Sequence, residues 1–111
     1  MFKLTLNRVH DRVKVSEGDE SLVLRVDGDA GRMVAGISEA VKGLKSLTNE
    51  TPAEDQIRAA RYFASVIFGD EQADALIDFY HDDAMCVINL CSQYIGKRLS
   101  GLIAKAQKKS K

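Results

Sequence analysis

Hydrophobic and polar residues alternate in the first quarter of the chain, which predicts β-strands. A period of two with β-branched residues is typical of strands that bury one face. The alternating runs are 2–6, 13–15 and 22–26. The polar segment Ser16–Glu20 contains Gly18, a residue that tolerates the positive φ of a tight turn. The pattern therefore predicts a hairpin over about 12–27, with the run 2–6 as a candidate third strand.

From Asp29 onward the apolar residues recur every three or four positions, which is typical of amphipathic helices. The first helix is predicted to open near Asp29 and to bury one stripe. That stripe comprises Val34, Ile37, Val41, Leu44 and Leu47. Gly36 and Gly43 each weaken this helix by about 1 kcal/mol relative to alanine. Gly36 also lies one turn from Ala40, so a second helix can approach closely there.

The segment Thr51–Glu54 predicts the start of the second helix. Thr51 is placed to cap it, Pro52 suits the first helical position, and Glu54 completes a capping box. Gly69 is predicted to end this helix, and Asp70 to cap a third one after a tight corner. The predicted buried stripes are Ile57, Ala60, Phe63, Ala64 and Ile67 in the second helix, and Ala73, Leu76, Ile77 and Tyr80 in the third.

The last and longest helix is predicted to begin at Asp82 or Asp83. Its apolar stripe comprises Ala84, Val87, Ile88, Cys91, Ile95, Leu99 and Leu102. The whole chain, 1–111, is expected to form one α+β domain: a hairpin region over 1–27, four helices over 29–106, and a disordered basic tail over 107–111. Because a two-stranded sheet is not stable alone, its apolar face must rest on the helices.

Composition agrees with a small domain that has its own core. The chain has 111 residues, of which 45% are hydrophobic and 29% charged, with 16 basic and 16 acidic side chains. This composition is not that of a disordered protein. The longest apolar runs are too short to span a bilayer, and the N-terminus lacks the apolar core of a secretory signal. We therefore expect a cytoplasmic protein without membrane contact.

No catalytic or metal-binding signature stands out. Cys86 and Cys91 are five residues apart, about 140° around a helix, and are poorly placed to share one metal. A helix face carrying Asp74, Asp78, His81 and Asp82 is the best metal candidate, but no distant ligand completes it, so it is interpreted as solvated surface. The junction 28–31 lacks the lysine and third glycine of a phosphate loop. We expect no catalytic residue, no metal site and no cofactor.

Charge is segregated along this neutral chain. Nine acidic residues lie between Glu50 and Asp83, whereas residues 96–111 carry six basic residues and no acid. The acidic segment Asp70–Asp78 cannot serve as the recognition helix of a helix-turn-helix motif, because phosphates would repel it. The basic C-terminal helix leaves a second hypothesis open, a small nucleic-acid-associated regulatory protein.

Aromatic residues are concentrated in the middle of the chain, where five of the seven fall within 62–80. Several of these positions lie off the predicted buried stripes, and such side chains can anchor a partner helix. The candidate partner-binding residues are Tyr62, Phe63, Val66, Phe68, Phe79 and Tyr80. Burial of the same residues against the sheet is the alternative interpretation, so both remain open at this stage.

The order of elements resembles that of the tail assembly chaperones of long-tailed, non-contractile bacteriophages and their prophages. The corner Val66–Ala73 carries most of the similarity, followed by the acidic segment Leu76–Tyr80; the rest matches in layout and length. The resemblance implies a non-enzymatic protein of the bacterial cytoplasm, acting in several copies. Such a protein binds the long helical tape measure protein while the tail tube polymerises around it. No individual binding residue is implied.

Overall fold

The computed structural model describes residues 8–109, with side chains up to Lys105. It shows an α+β fold in which a two-stranded antiparallel sheet precedes the helices. The elements are β1 (Arg8–Glu17), β2 (Glu20–Asp29), α1 (Ala30–Lys45), α2 (Ala53–Phe68), α3 (Asp70–Phe79), α4 (Ala84–Tyr94), a π-helical turn (Ile95–Leu99) and α5 (Ser100–Lys109). The predicted strand at 2–6 lies outside the described residues. None of the described helices has both the length and the apolar character needed to cross a membrane.

The predicted hairpin is confirmed and is longer than expected. Glu17 pairs with Glu20 across a two-residue turn, and Gly18 has a φ of 60°. Positive φ at the first turn residue alone is the type II′ arrangement that suits a hairpin. The inward row of β1 consists of three valines and Asp11, which lies opposite Val26. This carboxylate interrupts the alternation of apolar and polar residues. The pattern therefore predicted a hairpin that begins at about residue 12, whereas β1 begins at Arg8.

Helix α1 begins where it was predicted, but its buried face is rotated. The Asp29 carboxylate accepts a hydrogen bond from the Arg32 backbone N–H at 2.9 Å and caps the helix. Val34 was predicted to be buried, yet 42% of it is exposed, whereas Met33 is 5% exposed. Because α1 packs against both β2 and α2, its inner face is centred about one residue away from the predicted stripe. Leu47 lies in the loop after the helix.

The predicted cap of α2 is wrong, and so is the predicted cap of α3. Pro52 is the N-cap of α2 and not its first helical residue, because its backbone is extended. No side chain forms a cap hydrogen bond there. The Thr51 hydroxyl instead accepts from the Thr48 N–H within the loop. Gly69 ends α2 with a φ of 91°, as predicted, and serves also as the N-cap of α3. Asp70 is therefore the first residue of α3, and its side chain makes no cap bond.

Helix α2 is the centre of the core. It packs against α1, α3, α4 and β2. Its inner face consists of fully or almost fully buried residues, namely Ala60, Phe63, Ala64, Ile67 and Phe68. Four of the five residues of the predicted stripe are thus confirmed as buried core. The fifth, Ile57, is partly buried.

The C-terminal helix contains a π-helical turn that the periodicity did not predict. Asp83 caps α4 by accepting from the Cys86 N–H at 3.2 Å. Tyr94 and Leu99 are both buried, at 4% and 0% exposure. Five residues of regular α-helix would place them about 140° apart. The wider i→i+5 turn at Ile95–Leu99 brings Leu99 back to the buried face. The helix then continues to Lys109, beyond the predicted end at Ala106.

A partly buried ionic contact joins the hairpin to this π-helical turn. The Asp11 side chain is only 6% exposed, although it is charged. The Arg98 guanidinium donates from both Nε, at 2.6 Å, and a terminal nitrogen to the two carboxylate oxygens. The Tyr94 hydroxyl donates to the same carboxylate at 3.0 Å. Hydrogen bonding from Arg98 is the main reason that the pKa of Asp11 lies below its ordinary value.

Gln72 attaches α3 to the outer edge of β2. Its amide oxygen accepts from the Arg25 N–H at 2.7 Å, and its amide nitrogen donates to the Arg25 carbonyl at 2.6 Å. The same nitrogen donates to the Phe68 carbonyl at 2.6 Å. The side chain thus pairs with the strand backbone as a neighbouring strand would, and it covers part of an edge that is otherwise prone to pairing.

Replacing Gln72 by leucine is expected to lower the free energy of unfolding by about 1–2 kcal/mol, because three hydrogen bonds are lost at a site that water can partly reach. Urea denaturation followed by circular dichroism measures this loss. Gln93→Leu on the exposed face of α4 is the matched control and is expected to change stability by less than about 0.5 kcal/mol. Equal losses in both variants would contradict a specific role for Gln72.

Candidate functional site

Helices α1 and α2 touch at one end and separate at the other. A Cβ atom added to Gly36 would lie 3.1 Å from the Cβ of Val66, so the two helices are in close contact there. This confirms the predicted close approach of a second helix at Gly36. A Cβ added to Gly43, two turns later, would meet no atom within 4 Å. The helices therefore diverge toward the loop that joins them.

The divergence opens a surface groove of about 420 Å³, which we call the α1–α2 groove. Its floor and walls are mostly small or apolar residues, and charged side chains complete the lining. The lining residues are Glu39, Ala40, Gly43, Ser46, Leu47, Asp55, Arg58, Ala59 and Tyr62. Tyr62 is 46% exposed, which makes it one of the few large apolar side chains that the described surface presents to solvent. Such a concave apolar surface can receive side chains of another helix.

A second groove lies on the other side of Leu47. It has a volume of about 370 Å³ and is lined by Leu44, Leu47, Thr48, Asn49, Gln56, Met85 and Ile88. Met85 is 56% exposed at the start of α4. Leu47 was predicted to be buried, and Met85 was not predicted as a surface residue, although an apolar residue two positions after the Asp83 cap was a usable signal. The two grooves share Leu47, so they adjoin at the loop end of the helix pair.

Gly36 and Gly43 of α1 should respond differently to alanine. We expect Gly43→Ala to raise the free energy of unfolding by about 0.5–1 kcal/mol, because alanine is the better helix former and its methyl group meets nothing. Gly36→Ala should lack this gain, since its methyl group presses on Val66. Thermal unfolding of both variants tests this difference. A gain at Gly36 as large as at Gly43 would show that the helices are not in close contact there.

The six predicted partner-binding residues do not form one surface. Phe63 and Phe68 are 1% and 6% exposed, and Phe68 stacks against Tyr94 with ring centroids 5.5 Å apart. The structure thus corrects the prediction for these two residues: they are core, because α4 and the sheet cover the face on which they lie. Val66 is partly buried against Gly36.

Phe79 and Tyr80 are also only partly buried, and they form an edge-to-face pair with centroids 5.3 Å apart. Tyr80 lines a smaller groove with Glu17 and Cys86, separate from the α1–α2 groove. Among the six predicted residues, Tyr62 alone lines that groove. The sequence therefore identified one wall of the groove and missed the glycine that opens it.

The acidic face of α3 is organised by an ion pair with α2. Asp74 accepts a hydrogen bond from the Arg61 Nε at 2.6 Å, and this contact lowers the pKa of Asp74. Asp78 and His81 are exposed. Within residues 8–109, no group of three or more histidine, cysteine, aspartate or glutamate side chains is arranged to hold a metal ion.

The other side chains that could take part in chemistry are either buried or already bound within the fold. Burial raises the pKa of the Cys91 thiol to about 12, so it is neither a nucleophile nor a ready ligand. The first turn of α1 is capped by Asp29, whose carboxylate occupies the position that a phosphate would need. Arg98, one of the basic residues of the C-terminal helix, is bound to Asp11.

No protein-family model matches this chain, and no curated protein and no solved structure matches it either. A functional proposal therefore depends on the geometry of the grooves and on the resemblance of the sequence.

Proposed function

We propose that this protein is a non-enzymatic tail assembly chaperone of a bacteriophage or prophage, which binds helical segments of the tape measure protein in the bacterial cytoplasm. The observation that carries the proposal is the α1–α2 groove, where two helices are held together at Gly36 and spread apart at Gly43. The order of elements and the corner Val66–Ala73 supply the phage context.

The groove has the properties that a receptor for an amphipathic helix requires. Ala40, Gly43 and Ala59 have little or no side chain, so a client residue can reach the floor between the helices. Tyr62 supplies a large, rigid wall that is already exposed, and contacts of this kind dominate binding energy. Asp55 and Arg58 are among the charged residues of the lining, and they form an ion pair at 3.3 Å. Charged residues at the rim help to keep the protein in solution while the groove is empty.

The test is a pull-down with tagged protein from the source bacterium after prophage induction, washed at low and at high salt and analysed by mass spectrometry. Capture through apolar side chains should survive high salt, because screening weakens only charge interactions. We expect one very long helical protein to be retained under both washes.

Two glycine variants distinguish binding in the α1–α2 groove from nonspecific adsorption of the client. Gly43→Leu places a side chain into the open groove, where its Cβ meets no atom within 4 Å, and should abolish capture. In Gly101→Leu, in α5, the added Cβ also meets no atom within 4 Å, and this variant should leave capture unchanged. Retention of the client by Gly43→Leu would exclude the α1–α2 groove as its site. Recovery of nucleic acid that is lost at high salt, without such a protein, would replace the proposal by the regulatory hypothesis.

A further inference from the structure

The outer face of the hairpin is a basic surface. Outward positions alternate along both strands, and all of them are exposed. They carry four permanent cations and two carboxylates, and the charged residues are Arg8, Arg12, Lys14, Arg25, Asp27 and Asp29. Arg8 binds Asp27 at 2.8 Å. Within the described part of the chain, no carboxylate forms an ion pair with Arg12, Lys14 or Arg25. We call these three residues and the exposed Val23 among them the basic hairpin face.

Two of these cations lie directly opposite each other. Arg12 and Arg25 are cross-strand partners. Because the backbone N–H and carbonyl of Arg25 bind Gln72, this pair exchanges no ladder hydrogen bonds with β1, and in such pairs the side chains are closest. Like charges in this position destabilise a hairpin. An opposing carboxylate surface would relieve the repulsion, and it would also cover Val23, which is 51% exposed.

The complementary surface is on the same molecule. The outward stripe of α3 carries Glu71, Asp74 and Asp78, all exposed. Asp74 is bound to Arg61, whereas Glu71 and Asp78 form no ion pair among residues 8–109. Gln72 fastens α3 to the edge of β2, so the helix that carries this acidic stripe lies beside the hairpin.

From this arrangement we infer that the basic hairpin face binds the α3 stripe of a second copy of the chain. Since each copy carries both complementary surfaces, a two-fold arrangement brings the hairpin of each copy against α3 of the other and makes the contact twice. Phosphates of a nucleic acid are the competing occupant. They are less favoured, because the acidic helix beside the strand would repel a polyanion. The inference is independent of the proposed client.

The dimer should depend on salt. In sedimentation velocity experiments over a range of protein concentrations, we expect the mass to approach twice that of the monomer at low salt and to fall to the monomer at high salt. A monomer at every concentration and salt would overturn the inference, as would a dimer that high salt leaves intact. Nucleic acid that sediments with the protein at low salt would identify the competing occupant.

Charge-swap variants locate the interface. Arg12→Glu/Arg25→Glu should be a monomer, and so should Glu71→Lys/Asp78→Lys. An equimolar mixture of the two should restore the dimer, because both of its contacts then pair opposite charges. Restoration also shows that both variants are folded. Lys42→Glu/Lys45→Glu, on exposed positions of α1, changes the net charge as the hairpin variant does and should remain a dimer at low salt. A dimer in either interface variant alone, or none in the mixture, would contradict the inferred contact.

Discussion

Phe63→Ala is expected to lower the free energy of unfolding by about 3–5 kcal/mol, the largest loss for any single change considered in α2. Phe63 is 1% exposed and lies at the centre of the core. Removing the ring loses its transfer free energy and leaves a cavity among helices that can collapse only in part. A domain of this size has a total stability of about 5–15 kcal/mol, so the variant would be close to unfolding at room temperature.

The neighbouring residue provides the control for this prediction. Tyr62 is 46% exposed on the wall of the α1–α2 groove, and Tyr62→Ala should cost less than about 1 kcal/mol. Urea denaturation followed by far-ultraviolet circular dichroism measures both losses. If Tyr62→Ala were the more damaging of the two, α2 would present a different face to the core from the one described. Tyr62→Ala should also weaken capture of the client, whereas Phe63→Ala can affect capture only by unfolding the protein.

Arg98→Ala is expected to lower the free energy of unfolding clearly more than a surface ion-pair variant does, because it leaves the Asp11 carboxylate in a nearly buried position with the Tyr94 hydroxyl as its remaining side-chain donor. The loss should be smaller than for a fully buried pair, since 57% of the Arg98 side chain is exposed and water replaces part of the lost contact. Chemical denaturation at neutral pH measures the loss. Arg58→Ala removes a surface partner of Asp55 and should cost less than about 0.5 kcal/mol.

The Asp11 contact also predicts a direction for the effect of pH. The pKa of Asp11 is lowered in the folded protein, chiefly by its hydrogen bond with Arg98, from an ordinary value of 3.8. A lowered pKa stabilises the fold above the unfolded-state value, and this contribution is lost as the pH falls through the folded-state value. Wild-type stability should therefore decline on acidification below about pH 4. The decline should be shallower for Asp11→Asn, which has no carboxylate at this position to protonate.

A second substitution tests whether the unpaired Asp11 carboxylate explains the stability lost in Arg98→Ala. Asp11→Val in the Arg98→Ala background removes the unpaired carboxylate and continues the apolar row opposite Val26. Apolar replacement of a buried ion pair is often neutral or stabilising, so most of the lost stability should return. A double variant that is less stable than Arg98→Ala alone would show that Asp11 contributes in some way other than as the partner of Arg98.

Local chemistry made much of the fold predictable. The turn at Gly18 and the end of α2 at Gly69 depend on a backbone conformation that glycine adopts easily, and both were predicted correctly. The starts of α1 and α4 depend on Asp29 and Asp83, whose carboxylates bind backbone N–H groups three residues later. Each of these features is decided within a few residues along the chain, so one sequence is enough to identify it.

What the sequence determined by itself is therefore the order, type and approximate limits of the elements. The tertiary structure alone decided which faces are covered. Periodicity predicts that a helix buries one face, but it does not say which element covers it or how far around the cover extends. For that reason Phe68 proved to be core, Val34 is exposed, and the α1–α2 groove opens at Gly43. Asp11 meets Tyr94 and Arg98, which are more than eighty residues later, only because the hairpin folds back on the π-helical turn.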